Sequence, residues 1–152
     1  MIYLDTSALI KRFVAEKGSG VIHAIVTGKE PVATARIAYV EVFAALTRTH
    51  RDGHLSTSQY ALVCRQFERD WQAYFRVALV DRVLLSARKL TQRHPLRFFD
   101  AVHLAAALML KNEIGTPVLF AAADKQLLRA AKAEKLGILD VEKTPTPFRV
   151  RN

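Results

Sequence analysis

Met1-Ile2-Tyr3-Leu4-Asp5-Thr6-Ser7-Ala8-Leu9-Ile10 opens the chain and decides how the rest is read. Ile2-Tyr3-Leu4 is a short apolar run of strand-forming residues that stops at an acid. From Ser7 to Val14 the pattern is helical. A buried strand that passes to a helix at an acidic residue is half of a βα unit, and the same alternation recurs downstream. Gly18-Ser19-Gly20 interrupts the first helix, and a second short one runs to Val26. Pro31 marks a turn before the strand Val32-Ala33-Thr34. Arg36 to His50 carries Ile37, Val40, Ala44 and Thr47 at helical spacing and closes at Asp52-Gly53. Ser56 suits the N-cap of a long helix reaching about Tyr74. Arg76 to Val80 reads as a third strand, Asp81 to Arg93 as a helix stopped before Pro95, and Phe98 to Asn112 as an alanine-rich helix. Val118 to Ala121 is a fourth strand, and Lys125 to Lys135 a helix closed by Gly137. Ile138-Leu139 with Val141 forms a last strand.

Short apolar strands alternating with helices predict an α/β fold: a single-domain parallel sheet of four to five strands, flanked by helices on both faces. With no repeat, low-complexity tract or linker, residues 1–143 read as one domain. Residues 144–152, with two prolines and two basic side chains, read as a loose basic tail. In open sheets of this kind ligands bind beyond the carboxyl ends of the strands. Asp5 and Asp124 both follow strands at that end.

Composition narrows the setting. Of 152 residues 51% are hydrophobic, enough for one domain with its own core. The single cysteine, Cys64, excludes an internal disulfide and reads as a core thiol. The N-terminus meets an acid before any basic or long apolar run, so no export signal is expected. The longest apolar stretch, Ala101 to Leu110, is about half of what a membrane span needs. A cytoplasmic protein without membrane contact is the expectation. The formal charge of +9, from 23 basic and 14 acidic residues, favours an anionic partner, nucleic acid foremost.

Among the 14 acids, four stand in apolar company: Asp5, Glu41 in Ala-Tyr-Val-Glu-Val-Phe-Ala, Asp100 in Phe-Phe-Asp-Ala-Val-His-Leu, and Asp124 after Leu-Phe-Ala-Ala-Ala. A buried carboxylate is costly unless paired, hydrogen-bonded or bound to a metal. Each also has a structural reading. Asp5 and Asp124 suit helix caps, Glu41 suits an ion pair between helices, and Asp100 suits the first turn of its helix. Asp81 and Asp140 have similar surroundings and are taken as structural. His103 shares a helix face with Asp100, where a hydrogen-bonded packing role is the ordinary one.

Four segments in order resemble the PIN-domain ribonuclease family: Ile2-Tyr3-Leu4-Asp5-Thr6-Ser7-Ala8-Leu9, Glu41 in the helix after the second strand, Phe99-Asp100-Ala101-Val102-His103-Leu104-Ala105, and Phe120-Ala121-Ala122-Ala123-Asp124-Lys125-Gln126-Leu127-Leu128. Size and basicity are similar to the VapC-type toxins within that family. One place departs: the family often has Ser or Thr just ahead of the fourth acid, where this chain has Ala122. The resemblance implies a metal-dependent endoribonuclease with Asp5, Glu41, Asp100 and Asp124 as catalytic and metal-holding residues. Magnesium or manganese, both of which prefer oxygen ligands, would be the ion. Asp5 and Asp100 would be its principal ligands, with Glu41 completing the site or orienting the attacking water and Asp124 serving a second ion or a bound water. Asp5, Glu41 and Asp100 are then expected to share one ion, with Thr6 and Ser7 donating hydrogen bonds to the acids. An acidic pocket repels RNA, so a basic rim is expected, with Lys11, Arg12, Arg48, Arg51, Arg97 and Lys125 as candidates by proximity.

The same resemblance implies a homodimer restrained by a small antitoxin. Leu9, Ile10, Phe13, Val21, Ile22 and Ile25 are either core or a face for such a partner. Two rivals remain: a phosphoaspartate protein, which lacks its second acid because Ser7 stands there, and a non-cleaving PIN-like module that binds RNA or protein.

Overall fold

A computed structural model describes residues 1–145. The strands are β1 (Ile2–Leu4), β2 (Val32–Ala35), β3 (Phe75–Val77), β4 (Leu119–Ala122) and β5 (Gly137–Asp140). The helices are α1 (Thr6–Leu9), continued by a 3-10 turn at Ile10–Arg12, α2 (Ser19–Val26), α3 (Ala38–Arg51), α4 (Thr57–Ala73), α5 (Asp81–Arg93), α6 (Phe98–Ile114) and α7 (Lys125–Ala133). All ladders are parallel and the strand order is β3-β2-β1-β4-β5. The chain builds outward from β1 to β3 and then returns to place β4 on the other side of β1. The strand order therefore reverses between β1 and β4, the place where a crevice opens at the carboxyl end of such a sheet.

Alternation within the short strands sorts the core into two layers. Tyr3, Ala33, Ala35, Val77, Phe120 and Ala122 face α5, α6 and α7. Ile2, Leu4, Val32, Ala121 and Leu139 face α1 to α4. Tyr3 stacks on Phe120 across the β1–β4 pair, ring centroids 5.4 Å apart. Helix α6 is buried from Ala101 through Ala107, and its alanines let the backbone lie close to the sheet. That closeness is what brings Asp100 and His103 to the strand ends.

Several boundaries differ from the sequence reading, each for a local reason. The third strand stops at Val77 because its one partner, β2, ends at the paired residue Ala35. Gly137 is not a helix cap; it begins β5. The left-handed turn after α7 is made by Lys135 (φ 61°), with the Leu136 N–H donating to the Ala131 carbonyl. Helix α6 runs on to Ile114 and ends on Gly115 in the left-handed conformation. Ser56 caps α4 as expected, in a reciprocal box with Gln59.

Cys64 is half-buried beside the core instead of inside it. Leu9, Phe13, Val21, Ile22 and Ile25 are buried and Ile10 packs beside them, so this segment is core and offers no free apolar face. Of the tail, Thr144 is tied back by donating its N–H and hydroxyl to the Asp140 carbonyl, and residues 146–152 lie outside the described part. Among the described residues no helix is long and apolar enough to cross a membrane.

Candidate active site

Asp5 leaves the sheet as the N-cap of α1. Its N–H still donates to the Ala121 carbonyl of β4, at 3.2 Å. The carboxylate is 3% exposed, and its Oδ1 accepts the Ala8 N–H (2.9 Å) and the Ser7 hydroxyl (2.8 Å). Asp124 repeats the device at the end of β4: its Oδ1 accepts the N–H groups of Gln126 (2.7 Å) and Leu127 (2.9 Å) at the start of α7. Each cap uses Oδ1 and leaves Oδ2 outside the cap, so capping does not exhaust either carboxylate. Burial pushes the Asp5 carboxyl above its ordinary pKa, against the pull of His103 and the hydrogen bonds from Ala8 and Ser7.

Glu41, in the first turn of α3, is fixed by two side chains. Its Oε2 accepts the Thr6 hydroxyl at 2.7 Å and His103 Nε2 at 2.8 Å. His103 is 2% exposed, and its Nδ1 lies 3.0 Å from the Tyr3 hydroxyl. A proton on Nε2 points at Glu41. Burial raises the Glu41 pKa, but the hydrogen bond and charge of His103 and the Thr6 hydroxyl outweigh it and hold Glu41 below the ordinary value. His103 is thus more than a packing residue. The legible signal was its place one helical turn after Asp100.

Asp100 lies in the first turn of α6, and Arg97, the N-cap residue three positions earlier, folds back onto it with Nε 2.9 Å from Asp100 Oδ2. The same guanidinium places Nη2 3.5 Å from Asp124 Oδ2. Asp100 first, then Asp124 and Asp5, raise the pKa of Arg97. Asp100 and Asp124 thus meet at one exposed cation, with Asp5 adding to the negative field around it, while Glu41 is tied to Thr6 of α1 and His103 of α6.

Other expectations are not met. Among the described residues no three acidic, histidine or cysteine side chains are gathered closely enough to hold one ion together. Asp5, Glu41 and Asp100 are therefore not a ready cage, because Glu41 is turned to His103 and Asp100 to Arg97. Lys11 is buried at 4% exposure, with Nζ 2.9 Å from Glu142 and 3.3 Å from Glu16, so it is not a rim cation. Arg12 is held by Asp70 at 3.1 Å and His23 at 2.6 Å. Arg48 and Arg51 are exposed but sit in the last turn of α3, about 10–15 Å along the axis from Glu41. Only Arg97 and Lys125 stand beside the acids, Lys125 exposed at the start of α7. Asp81 is exposed at the start of α5, and Asp140 accepts the Glu142 N–H at 3.1 Å. Neither is among the acids that surround Arg97.

Ala122 is fully buried in β4. The hydroxyl that serves this end of the sheet comes instead from Ser7, which donates to Asp5 and accepts the Ala123 N–H at 3.0 Å. Ser7→Ala should leave that N–H unsatisfied and cost about 1–3 kcal/mol of stability, measured by urea unfolding. An unchanged unfolding midpoint would show that Ser7 does not tie α1 to β4.

The donor set suits a small hard cation. Asp5, Asp100 and Asp124 offer carboxylate oxygens alone, and they already draw a positive group to the end of the sheet. Magnesium and manganese need only one or two carboxylates, since they keep most of their water.

The family model described as PIN domain matches residues 2–133. Ribonuclease VapC45 and ribonuclease VapC49 of Mycobacterium tuberculosis are each 37% identical to this chain over 134 residues, 88% of this chain and 90% of theirs. Among solved structures, FitAcB from Neisseria gonorrhoeae superposes with a TM-score of 0.67 at 14% identity, covering 95% of this chain and 100% of that one. A toxin-antitoxin complex from Klebsiella pneumoniae gives 0.64 at 16% identity, covering 99% and 100%.

Proposed function

The chain belongs to the PIN-domain family, and on that footing we propose that it is a magnesium- or manganese-dependent endoribonuclease, the toxin of a toxin–antitoxin pair. The observation that carries the reading is that Asp100 and Asp124 share one guanidinium while Asp5 follows the strand next to that of Asp124, at the strand-order reversal, in a chain of the same family as two ribonucleases.

The bound ion supplies neutralisation of charge building on the phosphoryl oxygens and eases deprotonation of water. One or two of Asp5, Asp100 and Asp124 would ligate it directly, and the remainder would hold its water shell. Glu41, kept ionised and pointed by His103 and Thr6, would orient the attacking water and take up its proton. Arg97 and Lys125 form the part of the basic rim that lies beside the acids, and the net charge of +9 draws RNA from a distance.

The expected partners are an RNA substrate, a small antitoxin whose tail covers the acids, and a second copy of the chain, all in the cytoplasm. Purified protein should cut single-stranded RNA with either ion and stop when a chelator is added. Cleavage that persists in chelator overturns the metal dependence. Complete inactivity with both ions, in a protein that binds RNA, would favour a non-cleaving module.

A further inference from the structure

We propose that Arg97 is an internal counter-cation of the carboxylate site, holding Asp100 and Asp124 until a divalent ion takes them and then turning to the substrate phosphate. The inference rests on the nuclease reading and goes beyond it by giving one side chain two alternating partners.

Three observations carry it. The first is geometry: one guanidinium reaches Asp100 by Nε at 2.9 Å and Asp124 by Nη2 at 3.5 Å, so it bridges acids delivered by α6 and by the end of β4. The second is exposure. The Arg97 side chain is 79% exposed while the acids are 17% and 31% exposed, so the arginine swings away with no change in the core. Surface ion pairs of this kind are weak, and a doubly charged ion that ligates the same oxygens displaces them. The third is position. Arg97 is the N-cap residue of α6, anchored three residues from Asp100, so the released guanidinium stays beside the site. A planar guanidinium with several donors matches a phosphate in two-pronged fashion, which an ammonium group does not. Without Arg97 the carboxylates would repel one another until an ion binds. With it, the ion must compete.

The test is titration of the full chain with Mn2+, without RNA, followed by calorimetry and by the electron paramagnetic resonance signal of free Mn2+. Wild type is compared with Arg97→Gln, Arg97→Lys and Arg129→Gln, the last an equal loss of charge on α7. Removing a competing cation should tighten Mn2+ binding about five- to tenfold in Arg97→Gln, the lower end of ordinary coupling between two ligands. Arg97→Lys should fall between, Arg129→Gln should stay close to wild type, and added salt should narrow the gap. In RNA cleavage Arg97→Gln should raise KM more than it lowers kcat. If Arg97→Gln binds Mn2+ no more tightly than wild type, or if Arg129→Gln tightens it equally, the counter-cation role falls and the nuclease reading stands. If wild type binds no Mn2+ at all, both fall together.

Discussion

Asp5→Asn should leave the fold intact, raise its melting temperature in chelator and abolish metal-dependent cleavage. The substitution keeps the oxygen that accepts from Ala8 and Ser7, and asparagine is as good an N-cap as aspartate. What it removes is a buried negative charge. The folded pKa of Asp5 is raised by burial. Its contribution to stability is therefore fully present below the unfolded carboxylate range and is lost as pH rises through the raised folded value. At neutral pH in chelator the wild type carries this penalty and the variant does not. The variant should melt about 2–4 °C higher, the scale of roughly 1 kcal/mol in a chain of this size, with the gap closing toward acid. Added Mn2+ should raise the melting point of the wild type and hardly that of the variant. Cleavage should fall by about a thousandfold or more, since a correctly held ion supplies several kcal/mol of stabilisation. Wild type expressed alone should slow growth, and the variant should relieve it. Equal cleavage by the two proteins would mean that Asp5 does not serve the reaction.

His103→Ala should be the most destabilising change at the site. One imidazole joins Tyr3 of β1, Thr6 of α1 and Glu41 of α3 to α6. Truncation leaves a buried hydroxyl and a carboxylate with fewer partners, and opens a space beneath α6. The loss should be about 3–5 kcal/mol, a fall of roughly 10 °C in melting temperature. Tyr3→Phe removes one of these hydrogen bonds and should cost less. In acid the His103→Ala penalty should shrink. Glu41 has a lowered folded pKa, so the stability it shares with His103 is present above its unfolded value and lost as pH falls through the folded one. A His103→Ala protein that melts like wild type would make the imidazole a bystander.

Much of this protein is determined locally and is legible in the chain itself. Ile2-Tyr3-Leu4 before Asp5 is too short and apolar to be anything but a buried strand, and Ser56 with Gln59 encodes its own cap. Asp81 to Arg93 is bounded by residues that start and stop a helix, and the sequence places α5 there without help. The four acids stood out because each carries a charge among apolar neighbours.

Other features are decided by packing, because they depend on partners distant in sequence. The end of β3 is set by where β2 ends, which nothing in Arg76 to Val80 reveals. Lys11 reads as a surface cation, yet Glu142, 131 positions away, draws it inside. His103 reads as packing because its partners Tyr3, Thr6 and Glu41 lie on three other elements. The chain shows that Asp5 and Asp124 follow strands. Only the parallel pairing of β1 with β4 makes those strands neighbours, and only the docking of α6 brings Asp100 to the guanidinium that Asp124 shares. Charge and hydropathy are properties of residues, whereas the partner of a charge is a property of the fold. The identity of the acids was therefore written in the sequence, and their company was settled only in three dimensions.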